Sequence, residues 1–426
     1  MKTTTYSPIQ ETLIETTLSS GMRVIFLPKK DFSRVAVSLQ IKFGSTDQFI
    51  TLKKTKEQKE FYEGTAHFLE HMIFENEQND VSKAFSLLGA SVNAYTTSNR
   101  TSYYFSTTNP VVEPLKLLLD TVFNPTLHED AILKEKAIIQ KEITMYQDDL
   151  DQSLYYDLLH QMYKDHPIKN DVAGSEESLL LIHSELLRNA FYTFYHPKNT
   201  LLVITGDVNQ EEVFDFLKNY QFLFPFKKHQ DFIKADKLEA VSSKKKSAEI
   251  IKDVVTDLVM IGILIHRDAK LSPQKAAIEE ISLLLLLDNY LGKSSPNYQE
   301  LNKKQLINST FDYSASSEET YGHIILYTET KKPKQSIKEM ESLLTLLQDY
   351  QIDSKRFIIQ KRKLVGQFVQ IFNSITQTNN FIAEYALRGM NAFTFLSILE
   401  KITENDLYGM VHYFQENAIV SIHYHK

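Results

Sequence analysis

The chain has 426 residues, 42% of them hydrophobic and 11% aromatic, which allows two or three domains around sizeable cores. Its 47 basic and 54 acidic side chains leave a formal charge of −7, which argues against nucleic acid or an anionic membrane as the main partner. With no cysteine, disulfides, thiolate metal sites and cysteine nucleophiles are excluded, so any metal must be held by His, Asp or Glu.

The polar, threonine-rich start (1–14) lacks the apolar core of a signal peptide, and the longest purely aliphatic stretch, 283–287, is far short of a bilayer span. The expectation is a cytoplasmic protein without a membrane segment. Residues 22–27 and 35–43 are rich in Val, Ile and Phe and read as paired strands, the second stopped by Gly44-Ser45. The lysine-rich stretch 53–59 reads as a solvated loop. A helical pattern starts at Thr65, a candidate N-cap behind Gly64. A second helix runs from the cap Asp80 to Leu88 and is closed by Gly89. Residues 91–96 and 102–107 read as a hairpin or neighbouring strands, and a long helical pattern runs from about Glu129 to Tyr146 and resumes to Tyr163.

Residues 200–205 read as a strand that stops at Gly206-Asp207. After Pro225, lysines punctuate a stretch with few apolar anchors, which reads as an interdomain linker rather than a nucleic-acid-binding run. Residues 254–266 read as a strand, and Ser272-Pro273 opens a helix ending at Gly292. His423 and His425 alternate on a last strand with no carboxylate partner in the pattern, and His160 and His166 read as helix-face and turn residues. No P-loop, dinucleotide fingerprint or serine nucleophile elbow is present.

A repeat organises these elements. Ile138-Ile139-Gln140-Lys141-Glu142 recurs as Ile358-Ile359-Gln360-Lys361-Arg362, an offset of 358 − 138 = 220, and Tyr195 with Asn199 matches Tyr413 with Asn417 at 413 − 195 = 218. Two matches near half the chain length predict two similarly folded halves. The expected division is 1–225, a linker at 226–247, and 248–426.

The chemistry concentrates in His67-Phe-Leu-Glu70-His71. On a helix, residues four apart share a face, so His67 and His71 can hold one ion, and Glu70 lies beside that face without being a ligand. Catalytic zinc takes a third protein ligand. The long helix offers Glu135 and Glu142, two turns apart on one face, and spacing alone leaves both open. In the second half no register preserves the set: at the 220 offset His67, His71 and Glu142 fall on Leu287, Leu291 and Arg362.

The HxxEH box, the Glu-x6-Glu helix and the two-half organisation resemble the pitrilysin/insulinase superfamily of zinc peptidases. The likeness is to its half-length branch, similar to the mitochondrial processing peptidase β-subunit and to paired Gram-positive bacterial peptidases. It covers most of the chain, including Gly44-Ser45, Asn93-Ala94, Thr101, Tyr103, His166-Pro167, Gly174 and the run from Tyr195 to Gly206-Asp207. It implies an α+β fold: two similar halves, each a mixed or antiparallel sheet with helices on one face, enclosing a clam-like chamber. It implies one zinc ion per chain held by His67, His71 and Glu142, with Glu70 as general base and Glu135 as an orienting carboxylate, leaving Glu135 the less favoured third ligand. Asn93 and Ala94 resemble the edge that pairs with the substrate backbone.

One departure stands out. Members of the superfamily that act alone, or as homodimers, carry an Arg and a Tyr seven apart in the C-terminal half, whereas Asn302 and Ser309 stand at the corresponding places here. The expectation is a zinc endopeptidase for short or unfolded peptides, working as a heterodimer with a sister subunit that lacks the zinc box. A homodimer is the second arrangement, and a non-catalytic scaffold subunit of a peptide-processing complex is the rival reading.

Overall fold

In the computed structural model of the chain, the described residues are 1–74, 80–108, 110–222, 231–235 and 246–426. They fall into two compact units. The first combines Met1–Thr144, Asn170–Ala235 and Val369–Phe393, the second Met145–Lys169, Asp236–Phe368 and Thr394–Lys426. The cuts expected at 225 and 248 divide the chain differently, because 145–169 belongs to the second unit and 369–393 to the first. Of the expected linker, 231–235 carries a strand of the first unit, while 226–230 and 236–245 lie outside the described residues.

The first unit begins with strands β1 (Lys2–Tyr6), β2 (Glu11–Thr17), β3 (Arg23–Pro28) and β4 (Val35–Ile41). A small hairpin, β5 (Phe49–Leu52) and β6 (Gln58–Glu60), gives the lysine-rich loop two short strands. Helices α1 (Thr65–Phe74) and α2 (Val81–Leu87), strands β7 (Ala90–Thr96) and β8 (Thr101–Thr107), and helices α3 (Val112–Phe123) and α4 (Glu129–Asp148) follow. After α5 (Leu150–Met162) come α6 (Glu176–Leu181), α7 (Ser184–Phe194), β9 (Thr200–Gly206), α8 (Gln210–Asn219) and β10 (Phe232–Lys234). The main sheet has seven strands in the order β1-β2-β3-β9-β4-β8-β7. Only β3 and β9 pair in parallel. β4 and β9, central and buried along their whole length, are nearly continuous apolar runs, as strands covered on both faces must be.

The second unit contains β11 (Lys246–Ile251), β12 (Asp257–Leu264), α9 (Pro273–Leu291), α10 (Pro296–Lys303), β13 (Asp312–Ser317) and β14 (Gly322–Thr330). Helices α11 (Pro333–Leu346), α12 (Ser354–Ile371), α13 (Ile375–Leu387), α14 (Thr394–Lys401) and α15 (Glu404–Tyr408) lead to β15 (Ile419–His425). Its sheet runs β11-β15-β12-β14-β13, with β11 and β15 parallel. This is the order and sense of β3-β9-β4-β8-β7, so the repeat seen in the sequence is a repeat of topology.

Two helices explain why the units cross the expected boundaries. α13 lies on the first sheet, where buried Asn379 donates to the carbonyls of Ala36 (3.1 Å) and Val203 (3.0 Å) and accepts from the Ser38 hydroxyl (2.5 Å). α5 sends Leu154, Leu158 and Met162 into the core of the second sheet with Met260, Ile422 and Tyr424. Gly262 is needed there, since a Cβ would sit 2.3 Å from Met162 Sδ.

Local expectations meet the structure in detail. Asp80 caps α2 through the Lys83 amide (2.8 Å), and Gly89 follows at φ +70°. Ser272 caps α9 through the Lys275 amide. Thr65 differs: it is the first helical residue, and its hydroxyl donates to the Tyr62 carbonyl instead of capping. His423 also differs, because β12 brings the Asp257 carboxylate to 3.2 Å from its Nε2.

Candidate metal centre

The position of α1 is fixed before its first turn. Gly64 has φ +78°, and a Cβ there would lie 2.5 Å from the Ala173 carbonyl oxygen. Only glycine allows that turn and that approach. The Ser175 hydroxyl, donating to Glu63 at 2.6 Å, fastens the same junction. Behind the helix start, Phe43, Phe61 and Phe194 stack and pack edge-on. The amide hydrogen bonds then carry His67 and His71 to one face, with both rings buried.

The ring nitrogens His67 Nε2 and His71 Nε2 are 3.2 Å apart. Glu142 Oε2, from α4, lies 3.3 Å from His71 Nε2 and 3.8 Å from His67 Nε2. Two ligands about 2.05 Å from a tetrahedral zinc ion stand roughly 3.3 Å apart, so this triangle has the edges of a zinc coordination shell. His67 Nδ1 and Glu142 Oε2 are buried. Among the described residues, this trio is the one cluster of His, Asp or Glu able to hold an ion. The donor set fits zinc: two neutral imidazoles and one carboxylate, with a position left over.

Electrostatics favour the ligand form. Burial, reinforced by His71, lowers the pKa of His67 to about 4 against the opposing pull of Glu142, so its imidazole is neutral at physiological pH. Glu135, also on α4 and buried, places Oε1 2.8 Å from His71 Nδ1, on the far side of the ring from Glu142. A carboxylate at that place can accept from Nδ1–H, the tautomer that leaves Nε2 as a donor to a metal.

Glu70 sits beside this face. Its Oε2 accepts a hydrogen bond from the Thr96 hydroxyl at 3.0 Å. Thr96 escaped the sequence reading; the only cue was its place at the end of a strand next to the helix. The phenols of Tyr103 and Tyr195 are buried 2.8 Å from one another, and burial, their mutual contact and the charge of Glu70 push the Tyr103 pKa up, so it stays protonated. Asn93 and Ala94 lie on β7, the edge of the sheet, where Asn93 Oδ1 accepts from the Ala94 amide at 2.8 Å.

Comparisons with known proteins find similar chains over most of this chain's length. Residues 24–176 match the family described as insulinase (peptidase family M16), and residues 182–364 match its inactive domain. The uncharacterized zinc protease YmfH of Bacillus subtilis is 34% identical over 407 residues, covering 95% of this chain and 94% of that protein. A second uncharacterized zinc protease of the same bacterium, YmxG, is 25% identical over 375 residues, 85% of each chain. The crystal structure of an M16-like peptidase from Alicyclobacillus acidocaldarius superposes with a TM-score of 0.90 at 26% identity, covering 97% of this chain and 98% of that one.

Proposed function

The chain belongs to the insulinase family, peptidase family M16, and from that premise we propose that it is a zinc-dependent endopeptidase for short or unfolded peptides, with one zinc per chain. The observation that carries this reading is the convergence of His67 Nε2, His71 Nε2 and a Glu142 oxygen, with the Glu70 carboxylate adjacent on the same helix. A zinc ion bound there supplies Lewis acidity, lowering the pKa of a water to roughly 7 and polarising a peptide carbonyl.

The chain's own groups do the rest. Glu70, oriented by Thr96, takes a proton from the attacking water and delivers it to the leaving amine nitrogen. Glu135 keeps the His71 ring in register. β7 offers an edge on which an extended peptide can add as a further strand. The peptide backbone would take over the Ala94 amide that the Asn93 side chain now occupies.

The second unit holds no copy of this set among its described residues. Asn302 lies in α10 and Ser309 in the turn beyond it. Of the nearby tyrosines, Tyr313 donates to Asp288 at 2.7 Å and Tyr321 is buried. A sister subunit therefore supplies the missing groups, and two M16 relatives in one bacterium support such pairing. The same absence favours the rival reading, a non-catalytic scaffold subunit.

Zinc analysis combined with hydrolysis of a quenched fluorescent peptide, with and without a sister chain, separates these readings. Glu70→Gln should keep zinc and lose turnover, and His67→Ala should lose both. Ordinary turnover by the purified chain alone would remove the sister subunit. A zinc-loaded chain inert with every sister would leave the scaffold.

A further inference from the structure

Helix α12 differs from the rest of the chain in charge. It carries Lys355, Arg356, Lys361, Arg362 and Lys363 and no acidic residue, within a protein whose net charge is −7. Three of these cations are engaged locally: Arg356 with Asp353 (3.1 Å), Lys361 with the Ile402 carbonyl (2.7 Å) and Lys363 with Asp288 (3.4 Å). Arg362 is exposed and makes no ion pair or hydrogen bond among the described residues. On the same outward arc lie Ile358, 50% exposed, Ile359, 64%, and Val365, 36%.

Gly366 sits among these residues in the interior of the helix. A Cβ there would meet nothing within 4 Å, so no packing among the described residues requires glycine. Glycine weakens a helix interior, and here it leaves a flat spot on the helix surface where another backbone can come close.

The repeat relates this face to the first half. At the 220 offset Arg362 corresponds to Glu142 and Ile358 to Ile138, which is also exposed. By position the outward face of α12 is thus the counterpart of the α4 face that carries the third metal-ligand candidate, but Ile139, the counterpart of exposed Ile359, is buried, so α12 leaves open a surface that α4 covers. The metal-binding carboxylate has become an unpaired guanidinium between exposed apolar side chains.

We propose that the Ile358–Ile359–Arg362–Val365 face of α12 is a peptide-recognition surface selecting substrates in which apolar side chains flank a carboxylate. Arg362 takes the carboxylate, the aliphatic side chains take the apolar neighbours, and Gly366 admits the peptide backbone. This rests on the peptidase reading and names its substrate class.

The test uses full-length protein carrying Glu70→Gln, so that bound peptide is not consumed, and follows the anisotropy of a fluorescein-labelled peptide of leucines and glutamates beside its lysine-for-glutamate counterpart. The glutamate peptide should bind the tighter. Arg362→Glu should weaken it by about tenfold or more without weakening the lysine peptide. Gly366→Leu should weaken both peptides while leaving the melting temperature equal or higher. Zinc content, measured in parallel, should not change in either variant; its loss or absence would speak against the metal centre and not against this surface. Affinities within about twofold between the two peptides, or unmoved by Arg362→Glu, would overturn the proposal. So would Arg362-dependent retention on phosphatidylglycerol vesicles without peptide binding, which would assign the face to lipid.

Discussion

In the first unit, the helix after β4 buries His67 and His71 with their Nε2 atoms 3.2 Å apart, and Tyr195 pairs with Tyr103 behind Glu70. In the second, Tyr413, the repeat partner of Tyr195, donates instead to Glu279 on α9 at 2.7 Å. The other oxygen of Glu279 takes Arg267 at 2.8 Å and the Ser317 hydroxyl at 2.9 Å. Strand order and sense are shared, but the buried polar groups are satisfied in different ways. The second unit carries its own cation. The first instead gathers two imidazoles and a carboxylate, a set able to hold a metal ion. A shared frame therefore says little about chemistry, which rests on the few side chains set against it.

Substitutions that act on one unit alone can break this contrast. Glu70→Gln should lower turnover of the active assembly by about 10²–10⁴-fold with zinc retained, measured by peptide hydrolysis and metal analysis. Arg267→Met should do the opposite, leaving zinc binding intact while the uncompensated Glu279 costs the second unit about 3–5 kcal/mol in denaturant unfolding.

Acid should weaken the second unit for a separate reason. His323 is buried against Tyr163, and burial, aided by His166, lowers its pKa to about 4. Between its ordinary value near 6.5 and 4, the unfolded chain binds a proton that the folded chain refuses, so stability is full above this window and falls with pH through it. The loss approaches about 3 kcal/mol, and His323→Gln should flatten that slope of stability against pH. The smallest effect sharpens the first unit: Glu135→Gln should weaken zinc affinity by about 10–100-fold, read by competition with a chelator, with little change in the metal-free melting temperature.

Much of this was legible from residue type and spacing. His67 and His71 share a face because four residues make one helical turn, and Asp80, Gly89 and Ser272 mark helix ends by their own hydrogen-bonding and backbone preferences. Glu135 and Glu142 were indistinguishable, since both lie on one face of α4; which oxygen meets Nε2 and which meets Nδ1 depends on how α4 packs against α1. Thr96 and Asp257 approach Glu70 and His423 from distant strands, and such pairings leave no local pattern. Nor did periodicity reveal that α5 and α13 cover sheets built from the other half, because an amphipathic helix declares that it has a buried face and not which sheet receives it.

That placement of α13 orders events during biosynthesis. The strands of the first sheet and all the candidate zinc ligands emerge from the ribosome first, but the amide of Asn379 that donates to Ala36 and Val203 arrives only after β11 to β14 of the other sheet have been made. Until then part of that sheet lacks its cover, a stretch of translation in which nascent-chain chaperones have apolar surface to hold. For the same reason, cutting the gene between the two halves would yield fragments that fold by complementing one another rather than as independent proteins.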